Sequence, residues 1–260
     1  IHRDLKPSNV LITTHDGQPV PKVIDFGIAK ALGQPLTKMT LITLHGQPMG
    51  TPAYMSPEQA DSSGIDIDTR SDIYSLGVML YELLVGAVPR NPEDTGIQQY
   101  IAELVRGETD PPTPSTMLAK SGEQGQKVAS LRATDLATLR RELKGDLDWI
   151  VMKAIENDRS RRYDTANALA LEIERYLSDE PILARPPTPS YRFQKFVRRN
   201  RFAAFAGAVA LLALVIGTVA FGTGLLKTMQ AERQARHETQ RALKAEQDAV
   251  RRLRDSLLAQ

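Results

Sequence analysis

Apolar residues along the chain change their spacing from one region to the next. Near the start they form two short β-branched runs, Val10-Leu11-Ile12 and Val20 to Ile24, on either side of an Asp16-Gly17 turn pair. Such runs flanking a turn pair predict a small β-hairpin. Further on the spacing becomes helical. Ile73, Leu76, Leu80 and Leu83 or Leu84 make one stripe, with Gly86 placed to cap its C-terminus. Further stripes over Ile97 to Val105, Leu147 to Ile155 and Ala166 to Leu177 predict more helices. Gly107 to Gln126 is rich in Pro, Ser and Gly and is predicted as a long loop. No internal repeat is visible.

Phe202 to Leu226 contains no ionisable residue. As a helix it would be about 37 Å long, enough to cross a hydrocarbon core of ~30 Å with some tilt. Soluble core helices seldom run this far without a charge, so the pattern predicts one transmembrane helix. Its position far from the N-terminus excludes a secretory signal peptide. Arg192 to Arg201 holds five cations and two Phe, as expected of a juxtamembrane belt that touches anionic headgroups of a lipid bilayer. Ahead of it, Pro181, Pro186, Pro187 and Pro189 predict a stiff linker, with the soluble domain ending near Leu177. After it, Lys227 to Gln260 is free of Gly and Pro and reads as a polar helical stalk. Leu243, Val250 and Leu257 repeat every seven, but Arg236 and Glu246 spoil a coiled-coil seam. Ala203/Gly207 and Ala213/Gly217 permit close helix approach, and hence a homodimer, within the membrane.

Composition narrows the chemistry. Among 260 residues, 33 Lys and Arg nearly balance 31 Asp and Glu, which rules out nucleic-acid binding as the dominant feature. The absence of Cys excludes disulfides, Cys-based zinc sites and thiol nucleophiles. The four His are scattered, and Asp61, Asp66 and Asp68 around Gly64 lack the spacing of a calcium loop.

The N-terminal stretch His2-Arg3-Asp4-Leu5-Lys6-Pro7-Ser8-Asn9 resembles the catalytic loop of protein kinases, H-R-D-L-x-x-x-N. Asp25-Phe26-Gly27 follows where such a kinase has D-F-G. Gly50 to Glu58 resembles the substrate-docking loop and A-P-E element, with Ser56 in place of Ala. Ser71-Asp72-Ile73-Tyr74-Ser75-Leu76-Gly77 resembles the start of the large central helix of the kinase C-lobe. One such triplet is weak; this order and spacing are specific. The chain is thereby identified as similar to bacterial transmembrane serine/threonine kinases of the eukaryotic-like family.

The resemblance implies a role for each residue. Asp4 would accept the proton of the substrate hydroxyl, and Lys6 would set a cation near the transferring phosphoryl group. Asn9 and Asp25 would supply oxygen ligands to Mg²⁺, or Mn²⁺ in its place, and Leu11 would form an apolar floor under the adenine of ATP. Thr51 would hydrogen-bond near Asp4 and Lys6. His2, Phe26, Gly27 and Asp72 would support the loop, and Glu58 would pair with Arg162, with Arg161 as the fallback. Arg3 would clamp a phosphothreonine, Thr43 first and Thr40 next.

The expected layout is mainly α: a kinase-like C-lobe with a small β-hairpin over residues 1–180, a linker and basic segment over 181–201, a transmembrane helix over 202–226 and an extracytoplasmic helical stalk over 227–260. These residues contain no Gly-rich phosphate loop and no V-A-I-K lysine, so the N-lobe is expected to be missing from this chain. The implied function is ATP-dependent phosphorylation of protein Ser/Thr at a bacterial inner membrane, with the kinase part cytoplasmic and this chain alone inactive. The competing expectation is a non-catalytic, membrane-anchored docking module built on a kinase C-lobe.

Overall fold

The computed structural model describes residues 1–26, 52–61 and 67–258. Gly27, Thr40, Thr43 and Thr51 lie outside the described residues. The first compact unit is Ile1–Arg199 and the second Asn200–Gln260.

Strand β1 (Val10–His15) pairs antiparallel with β2 (Gln18–Val23), in a register that sets Val10 opposite Val23 and His15 opposite Gln18. Asp16 and Gly17 connect them with φ of 50° and 76°. Positive φ at both central residues is what a two-residue hairpin turn requires, and Asp-Gly tolerates it. Among the described residues the unit's other longer elements are helices: α1 (Pro57–Ala60), α2 (Arg70–Val85), α3 (Pro92–Thr95), α4 (Ile97–Arg106), α5 (Pro114–Lys120), α6 (Gly122–Leu131), α7 (Leu136–Leu143), α8 (Asp146–Ala154), α9 (Ala166–Leu177) and α10 (Pro189–Arg199).

Helix α2 is the centre of the core. It buries Ile73, Tyr74, Val78, Tyr81 and Val85, which at ~100° per residue span one face of roughly 140°. The predicted stripe captured only part of this, and Leu83 is exposed because its side of the helix faces solvent. Tyr residues serve in this core because each finds a hydroxyl partner: Tyr81 donates to the carbonyl of Pro112 at 2.8 Å and Tyr54 to Glu82 at 2.6 Å. Gly77 lets α2 approach the end of α8. A Cβ there would lie 2.7 Å from both Ala154 Cβ and Ile155 Cγ2. Gly86, with φ of 78°, ends the helix and returns its N–H to the Glu82 carbonyl.

The long loop expected over Gly107 to Gln126 is instead largely helical, as α5 and the start of α6. Thr113 and Pro114 are a helix start rather than a break. The Thr113 side chain accepts from the Thr116 N–H, and Pro114 occupies the first turn, where its missing N–H costs nothing. Asp148 of α8 then ties α5 down, accepting from Ser115 N at 2.9 Å and Ser115 Oγ at 2.7 Å.

The Pro-rich stretch after Leu177 is laid on the unit rather than extended from it. Buried Glu172 accepts from the N–H groups of Leu183 and Ala184. Ile182 and Tyr191 join a second apolar cluster with Ile73, Ile150 and Leu169. Taken by itself, the second unit is one helix, α11 (Arg201–Leu258). Its Arg201–Gln230 portion is long and apolar enough to cross a membrane.

Candidate active site

The site is assembled around a loop held in an unfavourable conformation. Arg3 has φ of 68°, a left-handed value that costs an ordinary L-residue roughly 1–2 kcal/mol. Hydrogen bonds on both sides of the residue hold it there. Asp72, in the first turn of α2, accepts from His2 N at 2.7 Å and Arg3 N at 2.8 Å. Gln59 of α1 donates to the Arg3 carbonyl at 2.8 Å. Strain of this kind persists only where the surroundings over-determine it.

His2 joins this loop to the segment after β2. Its Nε2 lies 3.0 Å from the Ile24 carbonyl, which can only accept, so Nε2 carries the proton. Nδ1 is then the acceptor for the Asp4 N–H at 3.3 Å. The His2 ring also meets the Phe26 ring, with centroids 4.8 Å apart.

Asp4, Lys6 and Asn9 converge. Lys6 Nζ lies 2.9 Å from Asp4 Oδ2, both side chains about one-fifth exposed. Asn9, buried at the end of a short 3₁₀ turn (Pro7–Asn9), donates from Nδ2 to the Asp4 carbonyl at 2.8 Å and to Asp4 Oδ2 at 3.2 Å. With Nδ2 committed to Asp4, the Asn9 oxygen is the atom left to serve a cation. The hairpin brings the second oxygen donor close. Val10 pairs with Val23, the Ile24 N–H donates to the Asn9 carbonyl at 2.9 Å, and Asp25 follows with φ of 60°. One carboxamide and one carboxylate, both hard oxygen donors, fit a Mg²⁺ ion that keeps waters and phosphate oxygens as its other ligands. Leu11, Ile12, Val23, Ile24 and Phe26 are all exposed, leaving apolar surface on and beside the hairpin.

Glu58 and Arg162 form the buried support. Two parallel bonds, 2.7 and 2.9 Å, join the guanidinium to the carboxylate, and Ser71 Oγ donates to the same carboxylate at 2.7 Å. The remaining Arg162 donors reach the carbonyls of Glu156, Asn157 and Arg70, and its plane lies over the Tyr74 ring. Burial alone would raise the Glu58 pKa. The hydrogen bonds and charge of Arg162, with the Ser71 hydroxyl, outweigh burial and hold the carboxyl below the usual glutamate range. Arg161 is exposed, and its ion-pair neighbour is Asp158.

Sequence reasoning missed Gln59, Ser71 and the buried Asp146–Lys195 pair. Gln59 follows Glu58 directly, but nothing local marks it as a partner of residue 3.

A central helix that pins an H-R-D loop, and a hairpin that returns the chain from Asn9 to Asp25 and Phe26, are features of a protein kinase lobe. The chain belongs to the protein kinase family: the protein kinase domain pattern matches residues 1–172. Its relatives are bacterial serine/threonine kinases. It is 36% identical over 182 residues to a probable serine/threonine-protein kinase of Streptomyces coelicolor, covering 70% of this chain and 22% of that one. Serine/threonine-protein kinase PknB of Mycobacterium tuberculosis is 34% identical over 184 residues, 70% of this chain and 24% of PknB. Serine/threonine-protein kinase Pkn1 of Myxococcus xanthus is 39% identical over 134 residues, 51% of this chain and 18% of Pkn1. The chain thus spans between about a fifth and a quarter of the length of these relatives.

Proposed function

We propose that this chain supplies the catalytic loop, metal ligands and membrane anchor of a kinase that transfers the γ-phosphate of ATP to Ser or Thr of proteins. The observation that carries this reading is the convergence of Lys6 Nζ and Asn9 Nδ2 on Asp4 Oδ2, at 2.9 and 3.2 Å. In this reading Asp4 accepts the substrate hydroxyl's proton. Lys6 offsets charge on the transferring group, and its place two residues after Asp4 is the feature that favours Ser and Thr over Tyr. Asn9 and Asp25 would hold Mg²⁺, which when bound would supply positive charge to neutralise the phosphates. Leu11 contributes apolar surface to the base. Thr51 would complete the hydroxyl site, and Arg3 would meet a phosphorylated Thr43 or Thr40.

The anchoring part of the proposal rests on Arg201–Gln230, whose apolar window is not buried against the protein, and on the cationic run before it. The kinase unit would face the cytoplasm, where ATP is, with residues after 230 on the far side of a bacterial inner membrane. The 260 residues contain no Gly-rich loop and no V-A-I-K lysine, and by themselves are expected to transfer no phosphate. The test is phosphate transfer from radiolabelled ATP to a basic protein substrate, by a chain that also carries a Gly-rich loop and its lysine. Asp4→Asn should keep the fold and lower turnover roughly 10²–10⁴-fold. Wild-type turnover in that variant would remove Asp4 as the base, and no transfer by the unmutated chain would favour the docking module.

A further inference from the structure

Helix α10 is docked by the side on which an amphipathic helix would ordinarily be wet. Tyr191 and Lys195 are its buried residues, at 4% and 5% exposure. The Tyr191 hydroxyl accepts from the Ile182 N–H at 3.1 Å, and Arg185 lies over its ring. Lys195 Nζ lies 2.8 Å from Asp146 Oδ2, on the first residue of α8, in a buried pair. Phe193 and Phe196 are 68% and 51% exposed. At ~100° per residue the Tyr191/Lys195 edge and the Phe193/Phe196 edge are roughly 150° apart, so the docked edge and the aromatic edge look in nearly opposite directions. The helix cannot roll to cover its phenylalanines without drawing Lys195 away from Asp146 and leaving a buried carboxylate short of its partner.

Charge says what covers that edge. From Pro189 to Arg201 the chain carries Arg192, Lys195, Arg198, Arg199 and Arg201 and no acidic residue. Arg198 and Arg199 are shared with Asp179 and Glu180 at the end of α9, while Arg192 is exposed beside the phenylalanines. Only Asn200 separates α10 from the apolar helix. An exposed aromatic edge flanked by arginines is the composition of a helix lying in a headgroup layer, with rings at the top of the acyl chains and guanidinium groups on phosphates.

We propose that α10 lies in the plane of an anionic lipid surface, Phe193 and Phe196 at the headgroup–acyl boundary, while Tyr191 and Lys195 keep the kinase unit docked on its other side. The helix then does more than lead into the membrane: it sets which face of the unit is turned toward the bilayer. This rests on the membrane-anchoring reading above, and the experiment separates the two.

The full chain is reconstituted in phosphatidylglycerol–phosphatidylcholine vesicles whose lipids are brominated near the top of the acyl chain. Trp149 is the single tryptophan, so Trp149→Phe gives a dark background for Phe193→Trp or Phe196→Trp. The expected result is blue-shifted emission and loss of at least half the intensity to bromine at both positions, with less quenching in phosphatidylcholine alone. A chain that resists carbonate extraction yet shows water-like, unquenched emission at both positions would overturn this inference and leave the anchor standing. A chain that carbonate removes from the vesicles would overturn both. Equal quenching in phosphatidylcholine would overturn the requirement for anionic lipid.

Discussion

The Gln59 carboxamide donates from Nε2 to the Arg3 carbonyl at 2.8 Å, while its Oε1 accepts from the Ser56 N–H at 3.1 Å. One side chain therefore caps α1 and holds the catalytic loop. Asp72 holds the same loop from the N–H side, so the strained residue before Asp4 is gripped from α1 and α2 together. The position of the Asp4 carboxylate is then a property of two helices, not of the loop alone.

Gln59→Leu should show this as a kinetic effect. Loss of one hydrogen bond of about 1 kcal/mol corresponds to a roughly fivefold fall in kcat if Arg3 relaxes when Asp4 must be in place. KM for ATP should change little, because Asn9 and Asp25 are held by the hairpin instead. Steady-state assays on a chain carrying a Gly-rich loop and its lysine measure the split. Unchanged kcat would mean that Asp72 alone positions the loop.

The Glu58–Arg162 pair predicts a pH-dependent stability. Glu58→Gln leaves a buried guanidinium without its counter-charge and should cost roughly 3–5 kcal/mol at neutral pH. The folded-state pKa of Glu58 lies below its ordinary 4.5, so the pair's contribution is full above that value and is lost as pH falls through the folded pKa. The Tm difference between the wild-type chain and Glu58→Gln, both in detergent, should be largest near neutral pH and should narrow below about pH 4.5. A constant difference down to strongly acidic pH would mean that Glu58 is not the titrating partner.

Much of the site was legible because its residues are close in sequence or carry an unusual motif. His2 to Asn9 is one loop, and Asp16-Gly17 announces the hairpin that returns Asp25 to Asn9. Asp72 and Arg162 were legible only through resemblance, being 70 and 104 residues from His2 and Glu58 respectively. Among the features that escaped, two are instructive. Pro114 looks like a breaker in composition, yet it starts a helix because Thr113 precedes it. Lys195 looks like one cation in a solvated run, whereas its partner Asp146 lies on another helix and neither neighbourhood hints at the other. Long-range polar pairing has no periodicity to read.

Gly77→Ala tests the central packing. Alanine ordinarily favours a helix by about 1 kcal/mol over glycine, but an overpacked core typically loses ~1–3 kcal/mol. Here the added methyl would meet Ala154 Cβ at 2.7 Å, an atom fixed to its backbone and unable to swing away. The steric term should win, giving a net loss of about 1 kcal/mol and a lower Tm. A raised Tm would show that α8 shifts freely from α2.

The last prediction concerns the strap over Ile182 to Ala184, which Glu172 holds from beneath. Glu172 is 1% exposed and accepts from Leu183 N at 2.8 Å and Ala184 N at 2.7 Å, with Arg175 at 2.8 Å as its counter-charge. Glu172→Ala would leave both strap N–H groups short of an acceptor and a gap beneath them. The strap leads directly into α10, so the loss should open residues 182–199 together, while α2, which meets the strap's cluster through Ile73 but buries Tyr74, Val78, Tyr81 and Val85 in the main cluster, stays closed. Hydrogen bonds to a charged group contribute about 2 kcal/mol, so exchange at the Leu183 and Ala184 amides should rise roughly thirtyfold. Glu172→Gln keeps one oxygen acceptor and should show a smaller rise. Mass-spectrometric hydrogen exchange on the full chain reads both segments in one experiment. Unchanged protection at Leu183 and Ala184 would mean that Tyr191 and Lys195 hold the strap without Glu172. Equal loosening of α2 would mean that the strap is part of the central core rather than a separately opening piece laid over it.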